Sequence, residues 1–387
     1  MSPVLFVTFA VVSLWDFYIP SAGGKVLDYV GLTILVLSLM PRVALGDWRP
    51  LALTSSHFLL LLTMSPLIAL GVVRGGLLTA AAFVIGCVFV FAIFFRKDFD
   101  QDLLYRQIGW LIILNLIAFY IQYATFWLSG YLIDYHGWIG AADPRVLVGD
   151  IIRAGGLYQE PNGFCLTLLM LNAIRLFCPR TGRDYLFPIC IVTLVLSQSL
   201  WGIGAAIFLI FCRIYVFEAK VRRLPIIVPM AAGATVFAGL FVDWSLVLEL
   251  VLSPLTVSRI LDISSDASAQ QRFTGSGGFT VDLRFFVGHG PSTFDFQDYL
   301  GINGISFYIY GFGLLGLSLF LAFVLRISNG DAVSKVLIVV LAMSTYPLFT
   351  YAFWWAWLAI LAKANSNELA RPGQWYPLAP SRQSLPA

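Results

Sequence analysis

From Leu51 to Val73 the chain reads LALTSSHFLLLLTMSPLIALGVV, a full helix length without one Asp, Glu, Lys or Arg. A hydrocarbon layer about 30 Å thick takes roughly 20 apolar residues in helical form. Backbone exposed to lipid must satisfy its hydrogen bonds internally, which leaves only helices or closed barrels. A barrel strand would alternate apolar and polar residues, and this run does not, so it reads as a helix. The pattern extends to the whole chain, with 59% hydrophobic and 12% charged residues among 387, against about 25% charged in a soluble domain. The expected class is all-α, a polytopic transmembrane helix bundle.

Apolar runs between charged or Pro/Gly-rich breaks predict twelve spans, near 3–19, 26–45, 51–72, 75–95, 107–129, 162–178, 185–199, 200–217, 224–243, 303–325, 335–349 and 350–362. Nothing basic precedes the first run, so it reads as a retained helix rather than a cleaved signal peptide. Counting Lys and Arg near span ends orients the bundle with both termini cytoplasmic. That orientation leaves only Lys25, Arg74, Arg145, Arg153, Arg259, Arg272 and Arg284 outside, of 24 basic residues. The stretch 185–217 is short for two crossings, but Arg-rich flanks on both sides require an even number. A tight outer turn over 197–202 meets that requirement. Residues 1–363 then form one membrane domain, and 364–387, rich in Pro and Ser, a disordered cytoplasmic tail.

All five cysteines fall in or beside spans, which predicts packing roles rather than disulfides. No metal-ligand spacing, phosphate loop or nucleic-acid module is present. The chain is expected to use no cofactor and no metal and to bind no nucleic acid.

Two outer segments, about 130–161 and 244–302, are too long to be plain connections. The second opens with the apolar WSLVLELVLSPL, read as an interfacial helix. Arg153, Arg259, Arg272 and Arg284 stand in these segments against the topological trend. Guanidinium groups grip phosphate oxygens in a bidentate way and stay charged, so their convergence would suit a diphosphate-linked lipid. Snorkelling to headgroups, or pairing with Asp262, Asp266 and Asp282, is the plainer alternative.

The stretch RAGGLYQEPNG, from Arg153 to Gly163, is the sharpest local feature. Gly155 and Gly156 allow a tight turn, Pro161 suits the first turn of a helix, and Glu160 sits beside that helix's positive end. Arg153, Glu160 and Asn162 would then be held at the outer mouth of a span. A plain capping motif accounts for Glu160 and Pro161 but not for Arg153 and Asn162.

These residues resemble the O-antigen polymerase and O-antigen ligase superfamily of bacterial envelope enzymes. Its members show an Arg, a Gly and then Pro-Asn leading into a span, matched by Arg153, Gly156, Pro161 and Asn162. A Ser-rich turn between two spans is matched by LSQSLWG, and a late G-x-G with a glycine-punctuated helix by GHGPSTF at 288–294 and NGISFYIYGFGLLG at 303–316. The turn lacks the family's frequent arginine, and Asn303 stands where ligases tend to offer a histidine; His289 lies upstream.

The resemblance implies a GT-C-like glycosyltransferase of the bacterial inner membrane, with a large extracytoplasmic loop between spans 9 and 10. Its activity would be inverting, metal-independent polymerisation of O-antigen, capsule or exopolysaccharide repeat units carried on undecaprenyl diphosphate. Arg153, Arg284, Arg272 and Arg259 would bind the diphosphate. Glu160 or His289 would be the base, and Gly156, Pro161, Asn162 and Asn303 would shape the site. Membrane lipid and a chain-length regulator protein are the expected partners. A ligase delivering polymer to the lipid A core of lipopolysaccharide is one alternative, and a lipid-oligosaccharide transporter another.

Overall fold

The computed structural model describes residues 1–16, 26–44, 54–73, 77–137, 147–148, 151–178, 184–217, 283–289, 304–328, 332–342 and 350–369. The chain there is helical. It forms α1 (Pro3–Ser13), α2 (Val26–Ala44), α3 (Ser55–Val73), α4 (Leu77–Arg96), α5 (Gln101–Ser129), α6 (Pro161–Leu176), α7 (Leu186–Leu196) and α8 (Leu200–Phe217). After these come α9 (Leu283–Val287), α10 (Gly304–Ile327), α11 (Ala332–Ala342) and α12 (Ala352–Leu369). The only strands among the described residues are β1 (Leu147–Val148) and β2 (Ile151–Ile152). They pair antiparallel with Leu147 opposite Ile152.

Each predicted span except 224–243 overlaps one of these helices, 335–349 only as far as Ala342; residues 224–243, 343–349 and the expected interfacial helix over 244–255 lie outside the described residues. By length and apolarity, Gln101–Ser129 and Tyr308–Ile327 are sufficient to cross a membrane, while Pro3–Ser13, Ser55–Leu70, Leu186–Leu196 and others are apolar but shorter. The 185–217 stretch forms two helices joined by a turn at 197–199, in the place read from its charge pattern.

Three boundaries differ from expectation, each for a local reason. Helix α1 ends at Ser13, not near 19, and the chain turns at Leu14–Asp16 with the Ser13 hydroxyl donating back to the Ala10 carbonyl at 2.7 Å. Helix α5 starts at Gln101, not 107, because the Asp100 side chain accepts from the Leu103 N–H at 3.1 Å and caps the first turn. Helix α12 continues to Leu369, past residue 364 where a disordered tail was expected. Asn365 is buried there, donating to the Ser328 carbonyl at 3.0 Å and the Ser334 hydroxyl at 3.4 Å.

Two helices make the centre. Every residue of α6 is buried, and so is nearly every residue of α12 from Phe353 to Ala364, including Trp354, Trp355 and Trp357. A helix apolar on all sides must be surrounded by others. Helices α5, α8 and α12 pack on α6, while α4, α1 and α11 add to α12. The Trp357 indole N–H reaches the Met170 carbonyl at 2.7 Å and joins the two central helices. Truncating so large a buried side chain costs about 3–5 kcal/mol. Because α6 is held all round, whatever its first residues carry is held with it.

Candidate functional site

The N-terminus of α6 is built from four parts of the chain. Glu160 is extended, at φ −126° and ψ 147°, and Pro161 occupies the first helical position, as the sequence predicts. The Glu160 side chain does not cap the helix. Asp16, from the turn after α1, does so instead, its Oδ2 accepting from the Glu160 N–H at 3.2 Å. Gly163 makes room for it, since a side chain there would collide with the Asp16 carboxylate. Two further bonds fasten this turn to the corner. The Tyr158 hydroxyl donates to the Ser13 carbonyl at 3.0 Å, and the Trp15 indole N–H donates to the Thr167 hydroxyl at 2.9 Å. Burial pushes the Tyr158 phenol well above its ordinary pKa, so it stays a donor.

The glycine pair has a specific clamp. Gln122 of α5 is buried, and its Oε1 accepts from the N–H groups of both Gly155 and Gly156, at 3.0 and 2.9 Å. Its Nε2 donates to the Ile133 carbonyl at 3.0 Å. Gly156 has φ +57°, and a β-carbon there would stand 3.2 Å from the Phe119 backbone nitrogen. Backbone sign and close approach to α5 both require glycine.

The Ser-rich turn between α7 and α8 meets this corner directly. Ser199 donates its hydroxyl to the Asn162 amide oxygen, both residues being buried. The Arg153 Nε–H donates to the Gln198 carbonyl at 3.3 Å, and Gln198 has φ +51°, a left-handed conformation uncommon outside glycine. The Ser197 hydroxyl reaches the Leu194 carbonyl at 2.7 Å and lies 3.1 Å from the Cys165 sulfur. Gly202 must lack a side chain, which would strike the Leu194 carbonyl. Thus the two residues that capping could not explain, Arg153 and Asn162, are the two that hold the turn.

His289 belongs to a different assembly. It follows α9, which packs on α10; its N–H donates to the Tyr310 carbonyl at 2.7 Å and its ring stacks on Tyr310 with centroids 3.9 Å apart. The ring Nδ1 lies 3.2 Å from the same carbonyl. A carbonyl only accepts, so Nδ1 is the donor in this contact. Gly288 and Gly313, at φ +86° and +71°, cross backbone on backbone, each leaving no room for a side chain on the other's segment. The two late glycine motifs are therefore two halves of one contact, and Gly313 kinks α10.

The structure brings together Arg153, Gly156, Glu160, Pro161 and Asn162. It holds His289 on the α9–α10 contact, where Arg284 falls within α9. Arg259, Arg272 and Asn303 lie outside the described residues. Asp16, Gln122, Gln198 and Ser199 complete the corner and were not among the sequence candidates. Gln122 could have been suspected as a polar residue inside an apolar run. Among the described residues no group of three or more His, Cys, Asp or Glu could hold a metal ion. The chain matches no protein-family model, and no curated protein matches it.

Proposed function

We propose that this chain is a multi-pass membrane glycosyltransferase that polymerises lipid-linked oligosaccharide repeat units. The observation that carries the reading is the junction of Arg153 and Asn162 with the Gln198–Ser199 turn. It joins the two segments, Arg-Gly-Pro-Asn and the Ser-rich turn, in which the chain resembles the polymerase and ligase superfamily. In the proposed reaction a sugar hydroxyl of one repeat unit attacks the anomeric carbon of a chain carried on undecaprenyl diphosphate. A new C–O bond forms there as the C–O bond to the diphosphate breaks, with inversion.

The Arg153 guanidinium takes up the charge growing on the leaving diphosphate; a preorganised donor of this kind contributes about 3–4 kcal/mol. The hydroxyl proton passes to the Glu160 carboxylate, which shares the corner with Arg153, and general-base help of this kind contributes roughly 10²–10⁴ in rate. His289 is the alternative base. Arg284, Arg272 and Arg259 extend the diphosphate site, and Asn303 shapes it.

A bilayer location, with both termini cytoplasmic and the corner on the outer face, follows from the distribution of basic residues. It is supported by α5, whose exposed side carries Leu114, Ile117 and Ile121, with Trp110 and Trp127 exposed to either side. Exposed apolar residues bracketed by Trp suit a hydrocarbon layer between two interfaces.

The test is reconstitution of purified protein with undecaprenyl-diphosphate-linked repeat units alone, without lipid A core and without metal. A ladder of lipid-linked oligomers is expected, unchanged by chelator, and lost on Glu160→Gln but not on His289→Gln. Product only after core acceptor is added reassigns the chain as a ligase. Substrate crossing the bilayer with no bond formed reassigns it as a transporter.

A further inference from the structure

The sequence places 244–302 outside the membrane as one long connection, yet α9, which lies within it, packs along α10. Helix α10 contains Tyr308–Ile327, a stretch long and apolar enough to cross a membrane. The contact between the two is backbone on backbone. A β-carbon on Gly288 would strike the Gly311 carbonyl, and one on Gly313 would strike the Phe286 carbonyl. The His289 N–H then donates to the Tyr310 carbonyl at 2.7 Å. A loop that stayed at the surface would meet α10 only at its first turn.

The level of this contact along α10 sets its depth. At about 1.5 Å per residue, Gly313 lies roughly 14 Å from Gly304, where α10 begins, and roughly 8 Å from Tyr308, where the long apolar stretch begins. Gly313 is also near the middle of the span read over 303–325, so the result does not depend on which end of α10 faces out. In a hydrocarbon layer about 30 Å thick, both counts put Phe286 and Gly288 below the surface.

Composition and hydrogen bonding permit that depth. Helix α9 reads LRFFV, apolar at four of its five residues. Gly313 departs from helical geometry, and irregular backbone at membrane depth persists only where protein or a water-lined cavity surrounds it. Here the break in α10 and the end of α9 cover each other.

We propose that 283–289 is a re-entrant segment, which leaves the outer face and reaches hydrocarbon depth in the outer leaflet at the break in α10. The proposal rests on the membrane reading above and is independent of the reaction catalysed.

The experiment uses the full chain in phosphatidylcholine vesicles, with an environment-sensitive fluorophore on Phe286→Cys, Ile121→Cys or Tyr131→Cys. All three positions are exposed, while the five native cysteines are buried, so the introduced thiol takes the label. Ile121 lies roughly 12 Å inside the outer end of α5, and Tyr131 lies beyond that end. Quenching is read with phosphatidylcholine carrying a nitroxide either on the headgroup or midway along the acyl chain. The Phe286 label is expected to follow Ile121, quenched more strongly by the chain nitroxide, and Tyr131 to show the reverse preference. Chain quenching at Phe286 together with access by aqueous iodide supports the depth and assigns a water-lined recess beside the segment. A Phe286 label that follows Tyr131, while Ile121 stays deep, overturns the proposal alone. Labels at Ile121 and Tyr131 that respond alike overturn the membrane reading, and this proposal with it.

Discussion

Ser199 donates its hydroxyl to the side-chain oxygen of Asn162, tying the α7–α8 turn to the first turn of α6. Both residues are buried, so neither group has water as a substitute partner.

Ser199→Ala should therefore leave the Asn162 oxygen unsatisfied, at a cost of about 1–3 kcal/mol. Thermal unfolding of Ser199→Ala, Asn162→Ala and the double variant forms a cycle, with an expected coupling on the order of 0.5–3 kcal/mol. Additive effects would mean the two residues do not act together.

Gly156→Ala and Gly204→Ala provide a matched pair. The first forces a β-carbon onto φ +57° and toward Phe119, and should cost at least about 1–2 kcal/mol. The second is helical with nothing within 4 Å of the added carbon, and should be neutral or stabilising by up to about 1 kcal/mol. Equal melting temperatures would contradict the description of the corner.

Arg153→Lys keeps the charge but loses the Nε–H that meets Gln198 and the flat fork. Under the proposed function it should fold and express yet lose most polymer formation, read from the oligomer ladder. Near wild-type polymer would remove Arg153 from the diphosphate site.

His136 supplies a pH dependence. Burial lowers its pKa, with Asp134 opposing in part. The folded state therefore refuses a proton that the unfolded chain accepts near pH 6.5. Stability should be full above that value, where both forms are neutral, and should decline as pH falls below it until the folded form also protonates. His136→Gln should flatten that decline in melting curves between about pH 7.5 and 5.5; an unchanged slope would place the dependence elsewhere.

Apolar run length made the helices legible, and Pro161 with the glycine pair made the corner legible, because those signals are local. What completes the corner is not local. Gln122 is one amide in an apolar helix, and its partners at Ile133, Gly155 and Gly156 lie far along the chain. Asp16 falls inside the first apolar run as read from sequence, and only the early end of α1 turns it toward α6. Arg153 could be recognised as out of place, but its anchor, a backbone carbonyl at Gln198, has no sequence signature at all. The glycine motifs at 288 and 313 could each be seen, while their mutual contact depends on how α9 lies across the kink.

Gln122 also acts as a clip at the neck of a loop. Its oxygen grips the chain at Gly155 and Gly156 and its nitrogen grips it at Ile133, so both ends of the segment between are fastened to α5 by one side chain. A neck closed in this way separates the loop's length from the geometry of the corner. Doubling a loop's length adds only about 0.6 kcal/mol of closure cost, so residues inserted after Gly137 and before Leu147 should leave the corner in place. The same insertion between Gly156 and Pro161, on the far side of the clip, would displace Glu160 from Asp16.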